Sequence, residues 1–180
     1  MKRPDACREP TRAYFGQKDI QQALLLRRMC GDLLISHPLP SNLHMVPTYR
    51  SSIDGLAHSS RNAYLTPGGR EVASVLYRSL CIGEQAWKDG GGREGAIAAA
   101  VEHIVKVKRA VEADQKHNAE PPIILDYIEM NDPESFDVVD WDTKEGDGRP
   151  VILNGALWVG HTRLIDNLIL GDVEKTIMSY

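Results

Sequence analysis

The sequence lacks the features that mark several specialised classes of protein. Its apolar runs fall well short of the roughly 18 residues that a membrane-spanning helix needs, and no apolar core follows the basic N-terminal tripeptide to make a secretory signal. Cysteine is scarce: Cys7, Cys30 and Cys81 are an odd number without close pairing, which fits neither a disulfide framework nor a zinc site. We therefore expect a protein of a reducing, cytoplasmic compartment without a membrane partner.

A basic surface is missing as well. The 21 lysines and arginines are outnumbered by 25 acidic residues, which gives a net charge of −4, and no long basic stripe interrupts this balance. Binding to nucleic acid is driven mainly by phosphate neutralisation, so we expect no nucleic-acid partner. With 42% apolar residues over 180 positions, the chain can bury one good core or two small ones.

The front of the chain alternates between strand and helix patterns. Residues 11–15 suit a short strand, apolar positions from Ile20 to Leu34 follow helical spacing, and residues 43–48 suit a second strand. This order predicts a parallel βαβ unit of a doubly wound, Rossmann-like nucleotide-binding fold. Because parallel sheets have several strands and two covered faces, we expect the front of this domain to be missing or supplied by another chain.

A second domain is predicted to begin where Thr66 can cap a helix and Pro67 can occupy its first turn. The division assigns residues 1–65 to a truncated rear part of the nucleotide-binding domain, ending in a Ser-Ser-Arg-Asn loop. It assigns residues 66–180 to a C-terminal domain.

Within that C-terminal domain the apolar period changes from helix to strand. One helix is predicted after Pro67 and another over residues 93–113. Strands are predicted over residues 123–130 and 151–159, with an acidic loop between them. Helices followed by antiparallel strands predict a small α+β domain, so the chain as a whole is assigned to the α/β class.

Gly16, Gln17, Lys18 and Asp19, here called the lysine turn, separate the first strand from its helix. Free backbone N–H groups and the helix dipole favour an anion there. Gly16 would let a nucleotide approach the backbone, Lys18 would neutralise a phosphate, and Asp19 would accept a hydrogen bond from a ribose hydroxyl. Gln22 lies one helical turn from Lys18 and can project to the same side. The alternative is a solvated first turn with Lys18 as a surface charge.

Residues 59–62, here called the serine loop, place Ser59, Ser60 and Arg61 side by side. Two hydroxyls and a guanidinium supply many donors for phosphate oxygens. An Asp-Gly turn precedes them, as expected of a mobile loop that closes on a polyphosphate. The alternative is a surface loop in which Ser60 or Asn62 caps the next helix.

Together these segments resemble the pantothenate synthetase, or pantoate–β-alanine ligase, family. The landmarks run in family order across almost the whole chain. They are Tyr14-Phe15-Gly16-Gln17-Lys18-Asp19, Gln21-Gln22, Val46-Pro47-Thr48, Arg50, Asp54-Gly55-Leu56-Ala57, Ser59-Ser60-Arg61-Asn62, Tyr64-Leu65, Asp126-Tyr127 and Thr162-Arg163-Leu164-Ile165-Asp166-Asn167.

The resemblance implies an ATP-dependent ligase. ATP and pantoate, with Mg²⁺, would give a pantoyl adenylate and pyrophosphate, and the amine of β-alanine would then attack to give pantothenate. No metal-binding residue is assigned. By carry-over, the residues and roles are Lys18, Ser59, Ser60 and Arg61 for catalysis and ATP phosphate contacts, Gly16 and Asp19 for the ATP ribose, and Gln22 for pantoate.

The family's N-terminal His-x-Gly-His motif and its second pantoate-binding glutamine have no counterpart in this sequence. The resemblance therefore covers the C-terminal half of the family, and we expect the isolated chain to be weakly active or inactive as a ligase. The alternative is a non-catalytic or degenerate fragment that binds or regulates a full-length subunit. A homodimer is the other association left open.

Two further groups of residues are given structural roles. Arg163 and Asp166 are expected to pair with each other near the interface between the domains. Trp87, Trp141 and Trp158 are expected to pack in the core or within loops.

Overall fold

A computed structural model describes residues 11–113 and 122–172 of the chain. The helices and strands in chain order are β1 (Ala13–Gly16), α1 (Ile20–Asp32), β2 (Leu43–Val46), α2 (Pro67–Val72), α3 (Val75–Ala86), α4 (Gly92–Ala113), β3 (Ile123–Asn131), β4 (Val151–Val159) and β5 (Thr162–Leu170). Short 3-10 turns form most of the lysine turn, at Gln17–Asp19, and part of the serine loop, at Ser60–Tyr64.

The front unit is the βαβ arrangement that the sequence predicts. β1 and β2 pair in parallel, with Ala13 opposite Leu43, and α1 connects them. α1 ends at Asp32. It does not reach Leu34, the last apolar position of the helical spacing, because Leu34 has a φ of +50° that no right-handed helix allows. β2 stops at Val46 because the next residue is Pro47, which has no N–H to donate to the ladder.

The rear unit packs helices on an antiparallel sheet of three strands, β3-β4-β5, and the chain has the expected α/β class. β5 was not assigned to a strand from the sequence. It returns along β4 through a tight turn of two residues, Gly160 and His161, where Gly160 has a φ of +59°. Such two-residue hairpins favour positive φ at the turn.

The helix predicted after Pro67 is two helices in the structure. Pro67 opens α2, and the backbone N–H of Gly69 donates to the Thr66 hydroxyl at 3.0 Å, as the capping pattern predicts. Ala73 and Ser74 form a turn that separates α2 from α3. α4 begins at Gly92, close to the predicted start, after a kink in which Gly90 has a φ of +88°.

The main core lies between α3, α4 and the antiparallel sheet. Its fully buried side chains include Leu80, Ile104, Leu153 and Leu157. The helices approach closely at Gly83, where an added Cβ would lie 2.7 Å from the carbonyl oxygen of Ala96.

The three tryptophans differ in their surroundings. Trp87 is buried in the main core, but Trp141 is 77% exposed and Trp158 is partly exposed on β4. The expectation of packing was therefore wrong for Trp141. Its neighbours form turns outside the sheet, so no apolar layer covers the ring.

A second, smaller core joins the front unit to the rear unit. Ile20 and Ala23 of α1 and Met45 of β2 pack against Ile152 and Ile169, which face each other on β4 and β5. Their burial anchors the lysine turn, which precedes Ile20, to the antiparallel sheet.

The division of the chain between residues 65 and 66 stays a prediction. Across the described ranges, no helix has both the length and the apolar character to cross a membrane.

Candidate active site

A cleft between the two units brings the lysine turn and the serine loop together. It encloses about 350 Å³, including space open to solvent, and Lys18, Ser59 and Arg61 all line it. The rest of its polar wall consists of Asn62, Tyr77, Arg163 and Asp166. Its apolar wall consists of Leu56, Ala57, Ala73, Leu76, Leu164 and Ile165. Two cations and a hydroxyl from segments some 40 residues apart in sequence thus face one space.

A second cleft of about 490 Å³ adjoins the first. Lys18, Ile165 and Asp166 line both clefts, so the lysine stands at their junction. Asp19 and Gln22 line the second cleft only, as expected from their position near the start of α1. The opposite wall of this cleft is formed by Tyr127, Asn154, Gly155 and Asn167.

Two of the residues proposed from the sequence line neither of these clefts. Ser60 is exposed at the first position of its 3-10 turn, beside the first cleft. Gly16 ends β1, and a Cβ added there would meet no atom within 4 Å. Its φ of −74° is open to any residue, so neither the backbone nor the packing of the described chain requires glycine at this position.

The serine loop is anchored by the turn that precedes it. Arg50 and Ala57 form an isolated antiparallel bridge. Between them the Asp54 carboxylate accepts a hydrogen bond from the N–H of Leu56 at 3.1 Å, and Gly55 has a φ of +77°. This geometry confirms the Asp-Gly turn. Leu56 and Ala57 are buried and fix the base of the loop.

Hydrogen bonds within the loop set its local shape. The Ser59 hydroxyl accepts from the N–H of Arg61 at 3.3 Å, and the Asn62 amide donates to the carbonyl of Ala57 at 3.0 Å. Neither Ser60 nor Asn62 caps α2, because Thr66 does so. The Ser59 hydroxyl proton is not used in its bond to Arg61 and is available to an acceptor in the cleft.

A bidentate ion pair joins Arg50 to Asp166, which lines both clefts. The guanidinium donates to the two carboxylate oxygens at 2.6 and 2.8 Å and stacks over the Tyr77 ring at 3.6 Å. Burial alone would lower the pKa of Arg50, but the hydrogen bond and negative charge of Asp166 outweigh it and raise that pKa. Arg50 therefore stays charged and holds its bridge to Ala57 against β5.

The expected pairing of Arg163 with Asp166 was wrong. Arg163 instead binds Asp126 of β3, with distances of 2.9 and 2.8 Å from two guanidinium nitrogens to one carboxylate oxygen. Arg163 and Asp166 are three residues apart in β5, and side chains at odd separations in a strand point to opposite faces of the sheet.

β5 holds both polar segments in place. The side-chain amide of Asn167 donates to the carbonyls of Gln17 and Lys18 at 3.0 and 2.9 Å. The Arg61 guanidinium donates to the carbonyl of Arg163 at 3.3 Å. The strand that the sequence did not reveal is therefore the element that connects the lysine turn to the serine loop.

Two tyrosines and a cysteine of the cleft region have raised pKa values. Burial raises the pKa of the Tyr77 hydroxyl, as does its hydrogen bond to Cys81. Burial likewise raises the pKa of the Cys81 thiol and that of Tyr127 in the second cleft. All three groups stay protonated at neutral pH.

The arrangement suits an anion. The start of α1 adds to the effect of Lys18 and Arg61. No side-chain hydrogen bond caps it, and the positive end of the helix dipole favours an anionic ligand. Within residues 11–113 and 122–172, no cluster of three or more His, Cys, Asp or Glu side chains is placed to hold a metal ion.

Sequence reasoning gave no role to Arg50 and Asn167, and it gave Asp166 only a structural pairing with Arg163. All three residues lie in the quoted family landmarks, so the resemblance was the signal that could have assigned them to the site. Tyr77, which lines the first cleft, lies outside those landmarks and had no local signal.

Comparison with known proteins shows which family the chain resembles over most of its length. A family model described as pantoate-beta-alanine ligase matches residues 6–169. A pantothenate synthetase of Moorella thermoacetica is 42% identical over 90% of this chain and 50% of its own length. A bifunctional pantoate ligase/cytidylate kinase of a Synechococcus species is 38% identical over 90% of this chain and 26% of its own length.

A crystal structure of pantothenate synthetase from Thermus thermophilus superimposes with a TM-score of 0.68 at 38% identity, covering 88% of this chain and 49% of the Thermus chain. The described chain spans about half the length of the single-function relatives that it matches.

Proposed function

The chain belongs to the pantoate–beta-alanine ligase family, and on that premise we propose that it supplies the ATP and pantoate contacts of a ligase that makes pantothenate. The reaction would proceed in two steps. The pantoate carboxylate would attack the α-phosphate of ATP to give a pantoyl adenylate and pyrophosphate. The amine of β-alanine would then attack the mixed anhydride and release AMP.

One observation carries this proposal: Lys18 and Arg61 line the same cleft. A carboxylate that approaches a triphosphate meets electrostatic repulsion, and negative charge grows on the leaving pyrophosphate. Fixed cations and hydrogen-bond donors stabilise that charge in phosphoryl-type transfers. The Ser59 hydroxyl lies in the same cleft and adds a neutral donor.

Ser60 is proposed to join these contacts only when the serine loop closes, because it lies outside the cleft in this structure. Closure of a loop over a bound triphosphate would also exclude water from the adenylate, which water would otherwise hydrolyse. Arg61 is exposed in this structure, which leaves its guanidinium room to follow such a movement.

The lysine turn and α1 are proposed to bind the rest of the substrates. Asp19 would accept hydrogen bonds from the ATP ribose, and the open space beside Gly16 would admit the nucleotide to the backbone. Gln22 lines the second cleft with Lys18. Its amide would hold pantoate next to the phosphate that Lys18 contacts.

Mg²⁺ is proposed to enter with ATP. This metal commonly keeps several waters and binds through substrate phosphates plus one or two carboxylates, so the triphosphate itself offers a fitting donor set. Its charge would add to that of Lys18 and Arg61 in neutralising the pyrophosphate.

A cytoplasmic location of the protein stays a prediction.

The direct test is release of AMP from ATP that depends on both pantoate and β-alanine, measured with the wild-type chain and with Lys18→Ala. We expect a slow turnover that the substitution lowers about 10²- to 10³-fold, as for loss of a transition-state contact. Turnover that is the same in wild type and Lys18→Ala would contradict the assigned role of the lysine.

A second candidate function is association with a full-length ligase subunit. The face of the small parallel sheet that carries Tyr14 and Val46 is exposed, with Tyr14 at 61%, whereas parallel sheets usually have both faces covered. Co-purification with an intact ligase, together with no nucleotide affinity of the chain alone, would favour this candidate over catalysis.

A further inference from the structure

We propose that Asn167 is a positioning residue, which fixes the lysine turn so that Lys18 points into the cleft. The inference rests on the proposed function for what Lys18 binds. The role of Asn167 in holding the turn rests on the geometry alone. Asn167 lies at the middle of β5, about 150 residues from the turn in sequence.

The side-chain amide of Asn167 uses both of its N–H groups on the turn. One donates to the carbonyl of Gln17 at 3.0 Å and the other to the carbonyl of Lys18 at 2.9 Å. The residue is only 2% exposed, so water does not compete for these bonds. Two hydrogen bonds from one planar group fix both the distance and the orientation of the turn relative to β5.

Asn167 is itself held in place by the side chain of Asp166. Its backbone N–H donates at 2.9 Å to the same Asp166 oxygen that accepts from Arg50 at 2.8 Å. Arg50 belongs to the bridge at the base of the serine loop. A continuous set of hydrogen bonds therefore runs from the base of the serine loop, through β5, to the lysine turn.

The lysine turn needs such a support because its own side chains do little to fix its backbone. The Lys18 ammonium lies 3.8 Å from the Asp19 carboxylate, a contact that links two side chains to each other and not to the backbone. Neither Gly16, which precedes the 3-10 turn, nor Asp19, which precedes α1, makes a side-chain capping bond. The lysine side chain is flexible, so a fixed backbone at Lys18 limits the region that its ammonium can reach. The Asn167 amide supplies that constraint without occupying the N–H groups at the start of α1.

Asn167→Asp is the most informative substitution because it keeps the shape of the side chain and replaces the donating amide by a carboxylate. Oxygen would then face the two carbonyl oxygens of the turn, and the contacts would become repulsive. Asn131→Asp is the matched control. Asn131 is also buried in the sheet and lines neither cleft, and its amide donates to the carbonyl of Phe136. Its side-chain oxygen accepts from Asn154 at 2.6 Å, a contact that an aspartate keeps.

The experiment titrates MgATP into the wild-type chain, Asn167→Asp, Lys18→Ala, the double variant and Asn131→Asp, using calorimetry. If Asn167 acts through Lys18, each single variant at these positions weakens binding about tenfold, and the double variant is no weaker than Lys18→Ala. Wild-type affinity in Asn167→Asp, or a full additional loss in the double variant, would overturn the proposal.

Amide hydrogen exchange separates this inference from the proposed function. Residues 17–22 should exchange faster in Asn167→Asp than in Asn131→Asp when the two are compared at equal global stability. Unchanged exchange there would refute the positioning role whatever the nucleotide affinity. Absence of any effect of Lys18→Ala on MgATP binding, with faster exchange in Asn167→Asp, would instead reject the proposed function and keep the support of the turn.

Discussion

At the scale of single residues, the ion pair of Arg50 with Asp166 is the interaction on which the cleft most depends. The Asp166 side chain is 4% exposed and receives hydrogen bonds from Arg50 and from the backbone N–H of Asn167. A buried pair of this kind adds little to stability compared with an apolar pair of equal size, but loss of one partner leaves an uncompensated charge. Its value here is positional, because it joins the serine-loop base to β5.

Asp166→Ala should therefore destabilise the protein by about 3 to 5 kcal/mol, the range for breaking a buried pair from one side. The measurement is the free energy of unfolding from chemical denaturation. Arg50→Met combined with Asp166→Leu should recover a large part of the loss, because the double variant leaves no unpaired charge. A double variant whose loss equals the sum of its single variants would show that the two side chains do not act as a pair.

The same residues show what sequence patterns can and cannot reveal about a site. The lysine turn and the serine loop stand out locally, since each concentrates donors beside a glycine or a turn. The partners of these segments do not. Asp166 lies 116 residues from Arg50, and no local spacing reports a contact across that distance. The wrong pairing of Arg163 with Asp166 arose because β5 was not assigned, so the alternation of its side chains could not be used.

At the scale of secondary-structure elements, α3 and α4 pack at a distance that only a residue without a Cβ allows. A methyl group at Gly83 would lie 2.7 Å from the Ala96 carbonyl oxygen, which is backbone and cannot move aside cheaply. Gly95 on α4 has no atom within 4 Å of the corresponding position. The two glycines therefore form a natural comparison.

Gly83→Ala should destabilise the protein by about 1 to 3 kcal/mol through overpacking. Gly95→Ala should stabilise it by roughly 0.5 to 1 kcal/mol, because alanine has the higher helix propensity. Thermal unfolding of both variants checks the pair. A Gly83→Ala protein as stable as wild type would show that the helices are not in the close contact described.

The same helix pair contains a pH-sensitive contact between Ser79 and His103, whose oxygen and Nδ1 are 2.8 Å apart. Burial, with the positive charges of Lys106 and Arg78, lowers the pKa of His103. The neutral imidazole is thus favoured in the fold. The contribution of His103 to stability is fully present above its pKa in the unfolded chain, about 6.5. This contribution is lost as pH falls through the lower pKa of His103 in the folded protein.

His103→Gln should remove this part of the pH dependence. The wild-type melting temperature should fall more steeply between about pH 7.5 and pH 5.5 than that of the variant. His161→Gln, at an exposed turn position, is the control and should follow wild type. If the melting temperatures of wild type and His103→Gln changed with pH in parallel, His103 would not be the source of this pH dependence.

Most of the helices and strands could be predicted from the sequence. The βαβ unit, the cap at Thr66, α4 and the strands β3 and β4 follow from period and turn chemistry, which act locally. The end of α1 and the split between α2 and α3 could not be predicted in this way. They depend on single backbone angles and on contacts with other elements, which override local propensity.

At the scale of the whole molecule, the front and rear units are joined twice. The smaller core packs α1 and β2 on the outer side of β4 and β5, and the polar contacts of β5 tie down the two segments that line the first cleft. The burial of apolar surface brings the units together, and the polar contacts set their register. A cleft that both Lys18 and Arg61 line is the outcome.

The most direct test of this account is calorimetric titration of MgATP into the wild-type chain, Lys18→Ala, Arg61→Ala and Arg109→Ala, the last being an exposed arginine on α4. The account predicts saturable binding by wild type and by Arg109→Ala, and affinity at least about tenfold weaker for each of the other two variants. Equal affinity in all four proteins, or no binding by wild type, would contradict the claim that Lys18 and Arg61 together hold one triphosphate.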